Sequence, residues 1–152
     1  MITNMKIYID QSGRVEYTGH STVVAYANGK SKAIFISSVE KRKIQNIFRQ
    51  AGKLNMFAYK TFATLIYLVI KADLHKISAI IIDKEYMGRE DLVKKLLIEL
   101  IRRGGDDFDP KNIHFDLIGK KNQAHKKAIS VFRGREKPDI IVTKKELLEW
   151  II

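Results

Sequence analysis

The chain has 152 residues, no cysteine, and 28 Lys and Arg against 17 Asp and Glu, for a formal net charge of +11. Without cysteine there are no disulfides, thiolate nucleophiles or Cys-ligated zinc sites, and the apolar runs are too short to span a bilayer. The positive excess suits a polyanionic partner, nucleic acid ahead of a membrane, or else a lysine-rich solvated surface. The length suits one domain over residues 1–152 with a single core. No basic region followed by an apolar block and cleavage site opens the chain, so a soluble cytoplasmic protein is expected.

In chain order, Met5 to Ile9 reads as a first strand, followed by the turn "DQSGR". In "STVVAYANGKSKAIFIS" two β-branched and aromatic runs flank Asn28-Gly29, a preferred hairpin centre. Three sequential strands with short turns predict an antiparallel meander. Ser37-Ser38-Val39-Glu40 fits a capping box, opening a helix that runs to about Gln50. After Ala51-Gly52, a second helix starting near Asn55 carries "FAYKTFATLIYLVIKA", apolar on most sides and so deeply buried.

"KISAIIID" is a continuous apolar strand bounded by charge, the pattern of a central strand covered on both faces. "REDLVKKLLIELIRRGG" is an amphipathic helix with a stripe of Leu92, Val93, Leu96, Leu97, Leu100 and Ile101, acids in its first turn and arginines at its end. "DDFDP" reads as a loop, "NIHFDLI" as a strand, and "NQAHKKAISVFRG" as a helix ending at Gly134. Pro138 opens a short strand, "DIIV", and Thr143 to Glu146 caps a last helix ending in Trp150. The order βββ-αα-β-α-β-α-β-α predicts a mixed α/β sheet with helices on its faces.

Strand direction then groups the chemistry. Within a meander the first and third strands run the same way, and a helical crossover returns a strand parallel to its neighbour. The C-terminal ends of the first strand, the third strand, "SAIIID" and "NIHFDLI" therefore share one edge, where open α/β sheets place ligands. Asp10 and Asp83 end strands there. Glu40 and His125 sit in the first turns of helices leaving that edge. Asp139 begins its strand and falls at the opposite edge. Paired carboxylates repel and raise one another's pKa. Mg²⁺ or Mn²⁺, which takes oxygen ligands and substrate phosphates, relieves that cost. Two such ions roughly 4 Å apart can cleave a phosphodiester.

The strand-one Asp, the meander, the central strand ending in Asp and a final acid or His on a late helix together resemble the ribonuclease H-like nuclease superfamily. It includes ribonucleases H, Holliday-junction resolvases, transposases and Argonaute Piwi domains. "YIDQSG" is similar to the Asp-Glu-Ser-Gly opening of an uncharacterised family within it, and "NQAHKKAISVFR" resembles that family's late helix with its Gln-x-Ala-Asp pattern. The resemblance extends to about Arg133. It implies a metal-dependent nuclease with Asp10 and Asp83 as core metal ligands and His125 in the last ligand place. In two respects the chain departs from the pattern: Gln11 replaces the Glu after the first Asp, and the buried helix "NMFAYKTFATL" has no acid. Glu40 on the preceding helix is the substitute.

Each residue also has a plainer reading. Asp10 could start the turn, Asp83 pair with a Lys, Glu40 serve only as a cap, and His125 lie on the surface. Glu85 and Glu90 read as solvated, with Glu85 a reserve ligand two residues past Asp83. Lys120, Lys121, Lys126, Lys127, Arg133 and Arg135, in "GKKNQAHKK" and "FRGREK", are expected phosphate contacts or exposed helix ends. Phe57, Tyr59, Phe62 and Tyr67 read as core rather than base-stacking residues.

The leading expectation is thus a metal-dependent nuclease or closely related phosphoryl-transfer enzyme, with a non-catalytic nucleic-acid binder on the same fold as the alternative. A third reading, an interaction subunit docking through Trp150 and "LLEWII", competes with that tail packing on its own sheet. The partners expected are nucleic acid, no membrane, and a second copy of the chain left open.

Overall fold

Alternation in the first strand sets the two faces of the sheet. In the computed structural model, which describes residues 5–151, β1 spans Met5–Ser12 and buries Ile7 and Ile9 fully on one face. Successive side chains of a strand point to opposite faces, so Asp10 faces the other way. The sheet has six strands: β1, β2 (Thr22–Asn28), β3 (Lys30–Ile36), β4 (Ile77–Asp83), β5 (Ile113–Asp116) and β6 (Ile140–Ile141), in the order β5-β4-β1-β2-β3-β6. The β1-β2 and β2-β3 pairs are antiparallel, and β1-β4, β4-β5 and β3-β6 are parallel. This is the expected α/β fold, an antiparallel meander extended by parallel strands, and it is consistent with a ribonuclease H-like arrangement.

Five helices cover the sheet unequally: α1 (Ser38–Gln50), α2 (Phe57–Ile70), α3 (Glu90–Arg103), α4 (Gln123–Phe132) and α5 (Lys144–Ile151). The main core lies on the α2 side, where Ile7, Ile9, Ile34, Ile80 and Ile82 meet Phe62, Leu65 and Ile66, all at most 1% exposed. Burying each such side chain contributes about 1.5–3 kcal/mol. Among the described residues the opposite face carries only α4, whose Ala128 and Val131 rest on Val23, Ala25 and Ala33. Small residues there let α4 approach closely, and they leave the strand ends beside it to polar groups.

Several boundaries differ from the sequence reading. β1 runs three residues past Ile9, because Asp10, Gln11 and Ser12 continue the ladder with β2. At the β2–β3 turn only Gly29 has positive φ, at 71°, so the turn lacks the second left-handed residue that a type I′ centre needs. The side chain of Asn28 donates instead to the Lys6 carbonyl at 2.6 Å. On α3 the buried stripe takes in Ile98 while Leu92 and Leu96 are half-buried, a modest rotation of the predicted face.

α5 continues to Ile151 and packs on a helix rather than on the sheet. Its Trp150 ring lies 5.1 Å from that of Tyr67 on α2, with Lys71 stacked over it. None of the described helices is long and apolar enough to cross a membrane.

Candidate metal and nucleic-acid site

The parallel register pairs Ile9 of β1 with Ile82 of β4. The next residues along the two strands are Asp10 and Asp83. Both isoleucines face the main core, so both acids project to the α4 side at the C-terminal edge. A tight turn follows, with the Glu85 amide donating to the Asp83 carbonyl at 2.8 Å, and this brings the Glu85 carboxyl back to the same place. One oxygen each from Asp10, Asp83 and Glu85 lies within 4.8 Å of the others.

Each acid is held from its own side. Asp10, 3% exposed, accepts from the Gln11 amide at 2.8 Å through Oδ1 and meets His125 Nδ1 at 2.7 Å through Oδ2. Asp83 Oδ1 accepts from the Ile118 amide at 2.9 Å, which ties the β5–α4 loop to the cluster. Burial raises the pKa of Asp10, against the opposing pull of its hydrogen bonds to Gln11, Glu85 and His125; the charge of Asp83 adds to the rise. Burial likewise pushes Glu85 up to about 8, reinforced by its hydrogen bond to Asp10 and by the charges of Asp10 and Asp83. Three carboxyls in so small a space cannot all be ionised cheaply without a cation.

His125 comes to the site from α4. Asn122 caps that helix by accepting from the Ala124 amide at 2.8 Å, which fixes the first turn and aims the ring at Asp10. The sequence places His125 with the acids, and the structure joins it to one of them. It is not a member of the group of three oxygens.

Glu40 does not reach the cluster, which corrects its expected place there. β2 lies between β3 and β1 in the sheet, so the helix leaving β3 starts two strand spacings away, about 10 Å. Glu40 instead accepts from the Lys144 amide at 3.0 Å, at the start of α5, and pairs with Lys43 at 2.7 Å. These contacts hold its carboxyl below the ordinary range, the Lys43 hydrogen bond most strongly. Ser37 does accept from the Glu40 amide at 3.2 Å, so half of the capping box forms.

Glu85 takes the vacated part. It is half-buried in the cluster rather than solvated, and the signal for it was its spacing of two residues past a strand-ending acid.

Among the basic residues, Lys120, Lys121, Lys126, Arg133 and Arg135 are exposed. Lys127 is a correction: its ammonium pairs with Glu136 and lies 3.7 Å from Asp139, and its side chain is only 10% exposed. It ties α4 to the segment leading into β6. Asp139 does not fall at the opposite edge as expected: it meets Ala33 of β3, accepting from its amide at 2.8 Å, and Ala33 is level with Ala25 and so with Asp10 across the sheet.

Sequence reasoning missed Lys41. On α1 it is fully buried, with Nζ 2.9 Å from both the Tyr17 carbonyl and the Thr22 hydroxyl and 3.3 Å and 3.4 Å from the Arg14 and Val15 carbonyls. Desolvation lowers its pKa to about 8. It staples the loop that leaves the acidic end of β1. Nothing in an amphipathic helix pattern separates such a lysine from a surface one.

Comparison with protein-family models, with curated proteins and with solved structures gives no match for this chain. The chemistry of the site follows from its geometry alone.

Proposed function

We propose that the chain is a divalent-metal-dependent nuclease, or a closely related phosphoryl-transfer enzyme, acting on nucleic acid. One observation carries this reading: Asp10, Asp83 and Glu85 meet within 4.8 Å at the sheet edge of a strongly basic protein. The donor set fits the ion. It is anionic and all oxygen, the preference of Mg²⁺ and Mn²⁺, and the burial and neighbouring acids that push Glu85 up to about 8 are costs that a bound cation would offset.

Asp10, Asp83 and Glu85 would hold the metal, which when bound polarises the phosphodiester and lowers the pKa of a water. The remaining work falls to the chain. His125, donating Nδ1–H to Asp10, keeps the lone pair on Nε2 free to take up or return a proton. Lys120, Lys121, Lys126, Arg133 and Arg135 offer charge to the phosphates of the strand. The Ile118 amide keeps Asp83 from turning away as the strand binds.

A second reading draws on a specific feature. A protonated Glu85 that shares its hydrogen with Asp10 satisfies the cluster without any ion, as a non-catalytic nucleic-acid binder would require. Thermal unfolding with Mn²⁺, beside cleavage assays on single- and double-stranded DNA, RNA and their hybrid, separates the two. The nuclease reading expects ion-induced stabilisation and cleavage, both lost in Asp10→Asn. Binding of nucleic acid with neither effect in the wild type would support the second reading.

A further inference from the structure

Around the sheet edge from the acids, on the α2 side, lies a cleft of about 340 Å³. It adjoins the cluster directly, because Tyr86 in its wall follows Glu85 in the chain. Tyr59 of α2 and Tyr86 meet edge to face with ring centres 5.5 Å apart. The Arg14 guanidinium lies 4.7 Å from the centre of the Tyr86 ring, and that of Arg89 5.9 Å from the Tyr59 ring. Glu16 engages Arg14 at 2.8 Å, whereas Arg89 is exposed and pairs with no carboxylate among the described residues.

These walls have a particular chemistry. Planar guanidinium groups and tyrosine rings are the surfaces on which nucleobases stack, whatever the base. Gln45 and Asn55 also line the cleft, and neither amide bonds to protein among the described residues. A carboxamide carries both donor and acceptor, which is what the edge of a base presents. At the mouth, Met87 is 72% exposed, a large apolar side chain left in water beside a charged cleft. The volume is at the lower end of the range for ligand pockets, roughly 300–1,000 Å³. That is room for about one nucleotide.

We propose that this cleft binds a single unpaired nucleotide of a nucleic-acid strand, its base against Arg14 and Tyr59, with the buried Tyr86 behind them, and its phosphate at Arg89. The strand then crosses the edge of the sheet so that a neighbouring phosphate reaches the acids. Only that last step rests on the nuclease reading. Base binding in the cleft needs no metal and no cleavage. The expectation of Tyr59 as core is modified accordingly: Phe57, Phe62 and Tyr67 are buried, and Tyr59 is only half-buried at the cleft.

The test is a titration of the full chain in EDTA, followed by ¹H–¹⁵N spectra, with adenosine 5′-monophosphate and with ribose 5-phosphate. The expected result is that the mononucleotide shifts the amides of Ala58, Tyr59, Met87 and Arg89, and that the base-free sugar phosphate shifts them at least about tenfold more weakly. Tyr59→Leu and Arg89→Gln, both at solvent-reaching positions, should each lower the mononucleotide affinity about tenfold with the fold intact. A single-stranded oligonucleotide should compete for the same amides, and one made wholly of abasic units should not.

Equal shifts from both small ligands, shifts confined to other surfaces, or an oligonucleotide that leaves these amides unmoved would overturn the proposal. Binding in the cleft by a wild type that cleaves nothing with Mn²⁺ would sink the nuclease reading and leave the cleft standing. Cleavage without any effect of the mononucleotide or oligonucleotide on these amides would do the reverse.

Discussion

His125 Nδ1 lies 2.7 Å from Asp10 Oδ2, so a helix on one face of the sheet is locked to a carboxylate near the C-terminal end of the central strand β1. Asp10 is in the oxygen cluster and His125 is beyond it. The two should therefore respond differently to substitution. Asp10→Asn is expected to abolish stabilisation by Mn²⁺, about 2.7 kcal/mol at a hundredfold excess over Kd, and to abolish cleavage. His125→Gln should retain most of that stabilisation while lowering cleavage about 10²- to 10⁴-fold, the usual effect of losing a general acid or base. Loss of Mn²⁺ stabilisation in His125→Gln would mean that the ring ligates the ion directly.

Glu85 links the cluster to pH. Its carboxyl ionises near 8 in the fold and near 4.5 when free. Between these values the native state holds a proton that the unfolded chain has released, so stability falls as pH rises. Below 4.5 both states are protonated and the cost is absent; above about 8 it is present in full. The metal-free protein should therefore lose unfolding temperature from pH 5 to pH 8. Glu85→Gln, which is always neutral, should flatten that slope and stabilise the protein at pH 8 by about 1 kcal/mol or more. Scans of both proteins in EDTA across this range check it, and parallel slopes would show that Glu85 is not the titrating group.

Glu40 is assigned to the junction of α1 and α5 and not to catalysis. Glu40→Gln still accepts from the Lys144 amide and loses only charge, so it should cost less than about 1 kcal/mol of stability. Cleavage should stay within about twofold of wild type. Cleavage abolished in a folded Glu40→Gln protein would restore Glu40 to the site.

Lys41 carries more weight than any exposed lysine. Lys41→Met preserves the apolar stem but leaves the Tyr17 carbonyl and Thr22 hydroxyl without their shared donor. Unsatisfied buried acceptors cost about 1–3 kcal/mol each, and a destabilisation of about 2–4 kcal/mol by denaturant unfolding is expected. Limited proteolysis should cut first between Gly13 and Ser21. A variant as stable as wild type would show that the loop keeps its place without the staple.

Salt dependence separates the two kinds of basic residue on α4. Lys126→Gln should lower the slope of log K against log salt by about 0.7 to 0.9, the loss of one phosphate contact. Lys127→Gln should leave the slope unchanged and lower stability instead, because Lys127 is taken up by Glu136 and Asp139. Binding isotherms at several salt concentrations distinguish them. An unchanged slope in a quadruple variant at Lys120, Lys121, Lys126 and Arg133 would reduce the patch to a solvated surface.

The architecture was legible along the chain because its signals are local. A period of two in "KIYID", a glycine at the hairpin, an isoleucine run with charge at both ends and a heptad-like stripe in α3 each report their own element. Crossover handedness and strand direction then bring Asp10, Asp83 and His125 to one edge with no tertiary information. These rules say which edge a residue reaches and are silent on how far along that edge it sits. That distance depends on strand order, and with β2 between β1 and β3 the structure separates Glu40 from the acids by two strands.

The same limit runs the other way for Glu85, Lys41, Lys127 and Tyr59. Their residue types read as solvated or as core, and only Glu85, two residues past Asp83, has a neighbour in sequence that hints otherwise. Their roles come from groups far away in the chain: a turn folding back on Asp10, three carbonyls around Nζ, two acids beyond α4, and a second tyrosine from the β4–α3 loop. The sequence alone determined the layers of this protein, their directions and the strand-ending acids, because those follow from periodicity and chirality. Only the tertiary structure decided which charges share one small volume, because burial and electrostatic cost are properties of packed surroundings and not of a residue's place in the chain.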